Sequence, residues 1–418
     1  MHFMMPSGGY HGNYQRLVQH DSYWFLNIIG RGYQSPIPPS PVKRMEISNV
    51  AFFPLFPLWG TTVIKTLGLE PKTGLTLASQ LATWGFWSYF LLVARRRLHF
   101  SGGQCAAAVA LVIAHPAAFF LIAAYSESLF LMMLLGFMFW SVMEGRAAFV
   151  LAALHGVLTT GTRIAGAPAA AFPIVHEWFR RWPARVQTPT AAAMSPVPRN
   201  ASPAIRPSPA ALRFSAFPDF GSVFPPPPAL LRAGALMAIA LVGMIAFFIY
   251  CHVRFQHWNF YMMTQEAGWG VRADYLALLK LDAYRQWTPN WNVASQVGQF
   301  FVPVTMLGFL AIAVWEWVAA RKRTTRWRER IGFYFVGAAL FYISVCGVYS
   351  VRLESMTRYH FCTHVFLMLG ALHAFAEIGP RRTTTRRLLI ALAVVLALFG
   401  ARLQHTFAWQ YVQGGWVA

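Results

Sequence analysis

The chain has 418 residues, 56% of them hydrophobic and 12% charged, with a mean hydropathy of +0.44, a composition that excludes an ordinary water-soluble globular protein. The formal net charge is +21, but the basic residues sit in short runs between apolar stretches, the pattern of membrane topology and not of a nucleic-acid partner. Cys105, Cys251, Cys346 and Cys362 lie in or beside apolar stretches without CxxC spacing, so neither a disulfide framework nor a zinc site is expected.

Residues 1–19 are polar and aromatic with no apolar h-region, and no secretory signal is read there. The stretch 51–67 is apolar but interrupted by Pro54 and Pro57; it reads as an interfacial or re-entrant helix leading into the first clear span. A crossing takes about 20 apolar residues, because only internally bonded backbone can lie in a hydrocarbon core about 30 Å thick. Such spans are expected over 74–93, 104–125 and 128–143. The apolar stretch 147–178 would pass as one long span, yet Arg146 and Arg180 both carry the charge of a cytoplasmic side. Charge parity therefore splits it into two short helices meeting near Gly161, Thr162, Arg163 and Gly166, with Arg163 at the outer apex. A linker over 180–229, rich in Pro, Ala, Ser and Arg, lacks hydrophobic periodicity and should be disordered or extended. Five more spans follow, over 233–252, 302–320, 331–350, 359–376 and 388–407.

The expected fold is thus all-α, a polytopic integral membrane protein with about ten transmembrane helices. It comprises an N-terminal membrane half (1–179), the Pro/Arg-rich cytoplasmic linker (180–229) and a C-terminal membrane half (230–418), with no internal repeat. The basic runs 95–97, 180–232, 321–330 and 381–387 then share the cytoplasmic side. The opposite side receives the N-terminal loop, the turn 125–127, the loop 254–291 and the turn 351–358, with Asp21, Glu46, Glu127, Glu266, Asp274, Asp282 and Glu354.

Four constellations on that outer side can carry chemistry. His20, Asp21, Ser22, Tyr23 and Trp24, followed by Gly32 and Tyr33, set a carboxylate beside aromatic rings, which suits a general base acting on a sugar hydroxyl; Asp21 also suits the cap of a helix starting at Ser22. The segment 49–58, NVAFFPLFPL, reads as an interfacial anchor. Glu127 interrupts an apolar stretch. At membrane depth such a group points to function, and at an outer turn it is a helix cap. Arg163, after Thr162, and Arg358, before Tyr359, offer guanidinium forks that bind phosphate or snorkel to lipid headgroups. His360 and His364 share a helical face without an HExxH pattern, and are expected to be bundle contacts rather than metal ligands.

In this order the residues resemble the PIG-V family, the GPI mannosyltransferase II family and its bacterial relatives in the GT-C class of glycosyltransferases. His20-Asp21 with Trp24 and Gly32-Tyr33 resembles the family's WD and GY stretch. His20 stands where the family usually has tryptophan, and residues 1–19 hold no counterpart of the span that usually precedes it. Residues 49–58 resemble the family's NVAFFPLYPL, 125–130 its YSESLF, Thr162-Arg163 its LTR, 355–359 its SMPRY and 415–418 its GxWVA.

The resemblance runs through the whole chain and implies a GT-C-like bundle whose outer loops form the active site. It further implies a membrane glycosyltransferase that moves a sugar, mannose, from a polyprenyl-phosphate donor to a hydroxyl of a glycan or lipid acceptor, with inversion. The site would face outward from a bacterial inner membrane, with membrane lipids as the remaining partners. Asp21 would be the catalytic base, and His20, Trp24, Glu127, Arg163, Arg358 and Tyr359 the substrate-binding set, the two arginines facing the leaving phosphate. The scheme requires no metal and no cofactor. A transporter or flippase for a lipid-linked glycan is the alternative; it should show paired halves with broken helices at matching positions, and the sequence shows none.

Overall fold

The computed structural model describes residues 14–34, 48–180, 227–284, 293–321, 327–377 and 383–417. Among these residues every regular element is helical. The linker 180–229, apart from its ends, and Glu46 lie outside the described residues.

The first helix, α1 (Asp21–Arg31), packs on α2 (Leu55–Leu67), which turns at the left-handed Gly68 into α3 (Pro71–Leu92). At 13 residues α2 is about 20 Å long, short of a hydrocarbon core. The stretch 51–67 is interrupted at Pro54, the N-cap after which the helix begins, but not at Pro57, which stands in the first turn, where a missing N–H leaves no intrahelical bond unmade. Glu70 caps α3 by accepting from the Thr73 N–H. A π-helical turn, Val93–Arg97, ends α3, and the Ser101–Gln104 capping box opens α4 (Gly102–Ile113).

The continuous span expected over 104–125 is not observed. The helix ends at Ile113, and a short 3-10 turn, Ala118–Leu121, leads to α5 (Glu127–Ser141). Pro116 supplies the reason, since it lacks an N–H and disfavours helical backbone in the residue before it.

The apolar stretch 147–178 is broken where charge parity places the break. After α6 (Arg146–Thr162), Arg163 adopts extended backbone, φ −155° and ψ 143°; one turn, Gly166–Ala169, and α7 (Phe172–Arg180) follow. Glu144 and Gly145 ahead of α6 share a cavity with His176, Glu177 and Arg180 of α7, while Arg163 lines a different cavity. The chain therefore reverses at Arg163.

The second half contains α8 (Pro227–Phe255), α9 (Phe260–Trp269), α10 (Val293–Arg321), α11 (Trp327–Val348), α12 (Met356–Ala376) and α13 (Thr383–Val412). Helix α8 lies closely along α6 through small residues. A Cβ on Gly156 would stand 2.7 Å from that of Ala240, and one on Gly243 would overlap the Val157 carbonyl oxygen. Arg330 on α11 is fully buried and donates to Glu316 on α10 at 2.6 and 2.7 Å; it pairs at 2.9 Å with Glu377, just past α12. Tyr334 adds bonds to Glu316 and to the Gly370 carbonyl.

Among the described residues five helices are long and apolar enough to cross a membrane: α8, α10, α11, α12 and α13. Two shorter apolar ones, α4 and α5, accompany them. Length and composition alone thus account for five crossings, and not for the ten expected. Leu307, Leu310 and Val314 of α10 and Leu388, Leu392, Val395 and Leu398 of α13 are exposed. Apolar surface that continuous is unsuited to water and suited to lipid, and the protein is an integral membrane protein.

Candidate active site

A cavity of about 280 Å³ opens where the start of α1, the start of α5, the end of α6 and the head of α12 converge, with α9 as one wall. Four charged side chains from those four places alternate in sign. Arg358 Nη1 donates to Asp21 Oδ2 at 2.5 Å, and Arg358 Nε stands 3.3 Å from Glu127 Oε1. Arg163 Nη1 donates to that same Glu127 oxygen at 2.6 Å. Isolated charges at this depth would each cost several kcal/mol, whereas four that sum to zero compensate one another. Glu127 is 1% exposed, and among the described residues its Oε2 has no hydrogen-bond partner.

Aromatic rings hold the cations in place. The Arg358 guanidinium carbon lies 5.2 Å from the Tyr125 ring centroid and 5.1 Å from that of Tyr359, and Arg163 lies 5.3 Å from Tyr359. Tyr125 also positions the aspartate, since its hydroxyl accepts from the Asp21 backbone N–H at 3.3 Å. Ser22 donates to the Ala124 carbonyl beside it at 3.0 Å. The helix-cap reading of Asp21 is not what the geometry shows: His20 is the N-cap of α1, and the Asp21 carboxylate turns to Arg358. Glu127 does stand in the first turn of α5, after the N-cap Ser126, but its carboxylate is buried against Arg163 and Arg358.

Two strained or tied segments frame the cavity. Before α12, Arg352, Leu353 and Ser355 have φ of 57°, 61° and 65°, conformations costing on the order of 1–3 kcal/mol each for non-glycine residues. Gln299 secures this turn by donating to the Arg352 carbonyl at 2.9 Å. Segment 49–58 is more than the interfacial anchor expected. Asn49 is buried; it donates to Asn27 at 2.7 Å and to the Gly32 carbonyl at 2.9 Å, and accepts from the Gln34 N–H at 2.9 Å. Tyr33 donates to the Phe52 carbonyl at 2.7 Å. These bonds staple the end of α1 to the segment whose Phe52 and Phe53 line the cavity.

Of the residues singled out in the sequence, Asp21, Glu127, Arg163, Arg358 and Tyr359 line one cavity together. His20 and Trp24 do not. The His20 ring meets the Gly415 carbonyl at 3.0 Å and Trp416 edge-on at 4.9 Å. Trp24 stands a layer back, stacked on Phe52 at 6.1 Å and edge-on to Trp269 at 5.6 Å. Sequence reasoning missed Tyr261, Gln265 and Trp269, although their i, i+4, i+8 spacing marks one face of α9. It also counted Glu354 only as an outer acid. Glu354 lines the cavity, and burial pushes its carboxyl up against the lowering effect of a hydrogen bond from Trp416. Burial likewise raises the Tyr261 phenol.

His360 and His364 face inward, away from this cavity. His364 bonds His115 at 2.9 Å and Thr305 at 2.8 Å, so they are polar contacts between helices. Among the described residues no group of three His, Cys, Asp or Glu side chains has the arrangement of a metal site.

No protein-family model matches the chain, and no curated protein matches it. Among solved structures it is similar to ArnT from Cupriavidus metallidurans bound to undecaprenyl phosphate, at 14% identity and a TM-score of 0.48 over 97% of this chain. The archaeal oligosaccharyltransferase AglB from Archaeoglobus fulgidus, in complex with an inhibitory peptide and a dolichol-phosphate, aligns at 12% identity and a TM-score of 0.43. The chain spans 64% of the length of the ArnT chain and 52% of the AglB chain.

Proposed function

We propose that this protein is a GT-C-type glycosyltransferase that transfers mannose from a polyprenyl-phosphate carrier to an acceptor hydroxyl, at the outer face of a bacterial inner membrane and with inversion. The observation that carries this reading is the Asp21–Arg358–Glu127–Arg163 chain of charges in a cavity with aromatic walls. It joins residues of four of the motifs that resemble the PIG-V family: the aspartate, the YSESLF glutamate and two arginines.

The geometry suggests an order of events. In the free protein Arg358 is spent on Asp21, and Arg163 on Glu127. A donor phosphate entering the cavity competes for both guanidinium groups, which bind it through paired charge-assisted hydrogen bonds. As Arg358 turns to the phosphate, the Asp21 carboxylate is released to accept a proton. The acceptor hydroxyl gives its proton to Asp21 while its oxygen attacks the anomeric carbon. The carbon–oxygen bond to phosphate breaks on the opposite side, and the phosphate leaves with the electron pair, its growing charge met by the arginines. Glu127 keeps Arg163 from collapsing onto Asp21. The deciding experiment is incubation of purified protein with polyprenyl-phosphate-mannose and a panel of glycan and lipid acceptors, with linkage determination of any product. Transfer of the carrier lipid between leaflets without a new glycosidic bond would favour the flippase reading instead.

A further inference from the structure

A second cavity, of about 760 Å³, lies at the opposite ends of α6 and α11 from the candidate active site. Gly332 and Phe333 of α11 line this cavity while Gly347 and Val348 line the other, a separation of about 21–24 Å along the helix. Its wall is assembled from remote parts of the chain: Arg96 and Arg97 after α3, Arg180 at the end of α7, Arg232 on α8 and Arg328 on α11. Against these five guanidinium groups stand two carboxylates, Glu144 and Glu177, and Arg180 pairs with Glu177 at 3.0 Å.

Positive charge at one end of a membrane bundle is by itself ordinary topology. Here it converges. The π-helical turn Val93–Arg97 and the left-handed His99, φ 53°, bring Arg96, Arg97 and His99 onto the cavity wall. Such turns are uncommon and gather at functional sites. Arg232 is fixed by donating to the Ser141 and Met143 carbonyls at 2.8 and 2.7 Å. Like charges drawn together in a partly enclosed space repel unless an anion lies among them. Met138, Phe139, Phe172 and Phe333 supply an apolar floor beneath the charged rim.

We propose that this cavity binds a phosphate-bearing anion with an apolar body, held at the phosphate by Arg97, Arg180 and Arg328. The phosphate can belong to an anionic membrane lipid or to a soluble phosphate compound, and two probes separate the sources. The full chain in detergent is titrated with inorganic pyrophosphate against sodium chloride of equal ionic strength, following thermal unfolding. The same protein in mixed phosphatidylcholine and phosphatidylglycerol is examined by native mass spectrometry for retained phosphatidylglycerol. Arg97→Gln/Arg328→Gln should weaken the response about a hundredfold, about tenfold for each charge-assisted contact removed. Arg386→Gln/Arg402→Gln, with equal charge removed from α13, should leave it intact. A response to pyrophosphate assigns a soluble ligand, and retention of phosphatidylglycerol alone assigns a lipid headgroup. Wild-type protein that responds to neither probe overturns the proposal without any variant, as does an equal response from the two double variants.

Discussion

Arg358 and Asp21, 337 positions apart in the chain, are joined by a hydrogen bond of 2.5 Å that closes the candidate active site. It pairs the proposed base with a cation that must let it go. Asp21→Asn should therefore do two opposite things. Transfer should fall by about 10² to 10⁴, the usual worth of a general base, because an amide cannot take the acceptor's proton. Affinity for the proposed polyprenyl-phosphate donor should hold or rise, because Arg358 no longer has a carboxylate to leave. Titration calorimetry beside the transfer assay reads both, and a variant that binds the lipid more weakly while still turning over would remove Asp21 from the base role.

Arg163→Ala should be more damaging to the fold than to any surface contact. It strands Glu127, 1% exposed, with one partner fewer, and breaking a buried pair from one side costs about 3–5 kcal/mol. The double variant Arg163→Gln/Glu127→Gln removes both charges and should recover much of that stability while staying inactive. Denaturant unfolding of the two proteins in detergent decides it; equal losses would mean that Glu127 is held by Arg358 alone.

Glu354 gives the site a pH signature. Its carboxyl keeps its proton to higher pH when folded, through burial. A raised carboxyl contributes stability in full below its unfolded value, about 4.3, and that contribution fades as pH rises through the raised folded value. Wild-type melting temperature should thus decline from the ordinary carboxylate range upward, and Glu354→Gln should flatten that part of the curve. Parallel melting curves for the two proteins across that range would show that the burial of Glu354 is not felt in the free energy of folding.

Sidedness follows from the two cavities. The native cysteines described are all buried, so introduced thiols report cleanly. A cysteine at Ala267, on α9 beside the candidate site, should react with an impermeant maleimide in intact cells. One at Glu144, beside the basic cavity, should react only after lysis. The reverse labelling pattern would turn the whole arrangement over.

Much of this arrangement was legible in one sequence because membrane physics makes charge expensive. Asp21, Glu127, Arg163 and Arg358 stood out as ionisable groups at the edges of apolar stretches, and charge parity alone located the reversal at Arg163. Their mutual pairing was not legible, since nothing local links position 21 to position 358. His20 and Trp24 were grouped with Asp21 by adjacency, yet His20 is the N-cap outside the helix with φ 49°, and both turn to other neighbours, His20 to Gly415 and Trp416 and Trp24 to Phe52 and Trp269. Arg330 was read as the end of the basic run 321–330, because hydropathy cannot distinguish an arginine in water from one enclosed among helices and paired with Glu316 and Glu377. Pro116 was overlooked inside an apolar run for a similar reason: hydropathy counts side chains and not backbone donors.

Arg330 also ties down the end of α12 remote from Arg358. It pins α10, α11 and the far end of α12 together, while Arg358 rides in the first turn of α12. The two points are roughly 28 Å apart along the helix. A rocking of α12 by about 3° about the pinned end would carry the guanidinium roughly 1.5 Å, enough to trade one hydrogen-bond partner for another. The exchange proposed for Arg358 would ask only that small a swing of the head of α12, a segment otherwise tied by Gln299 to the Arg352 carbonyl and by Thr357 to the Ala294 carbonyl.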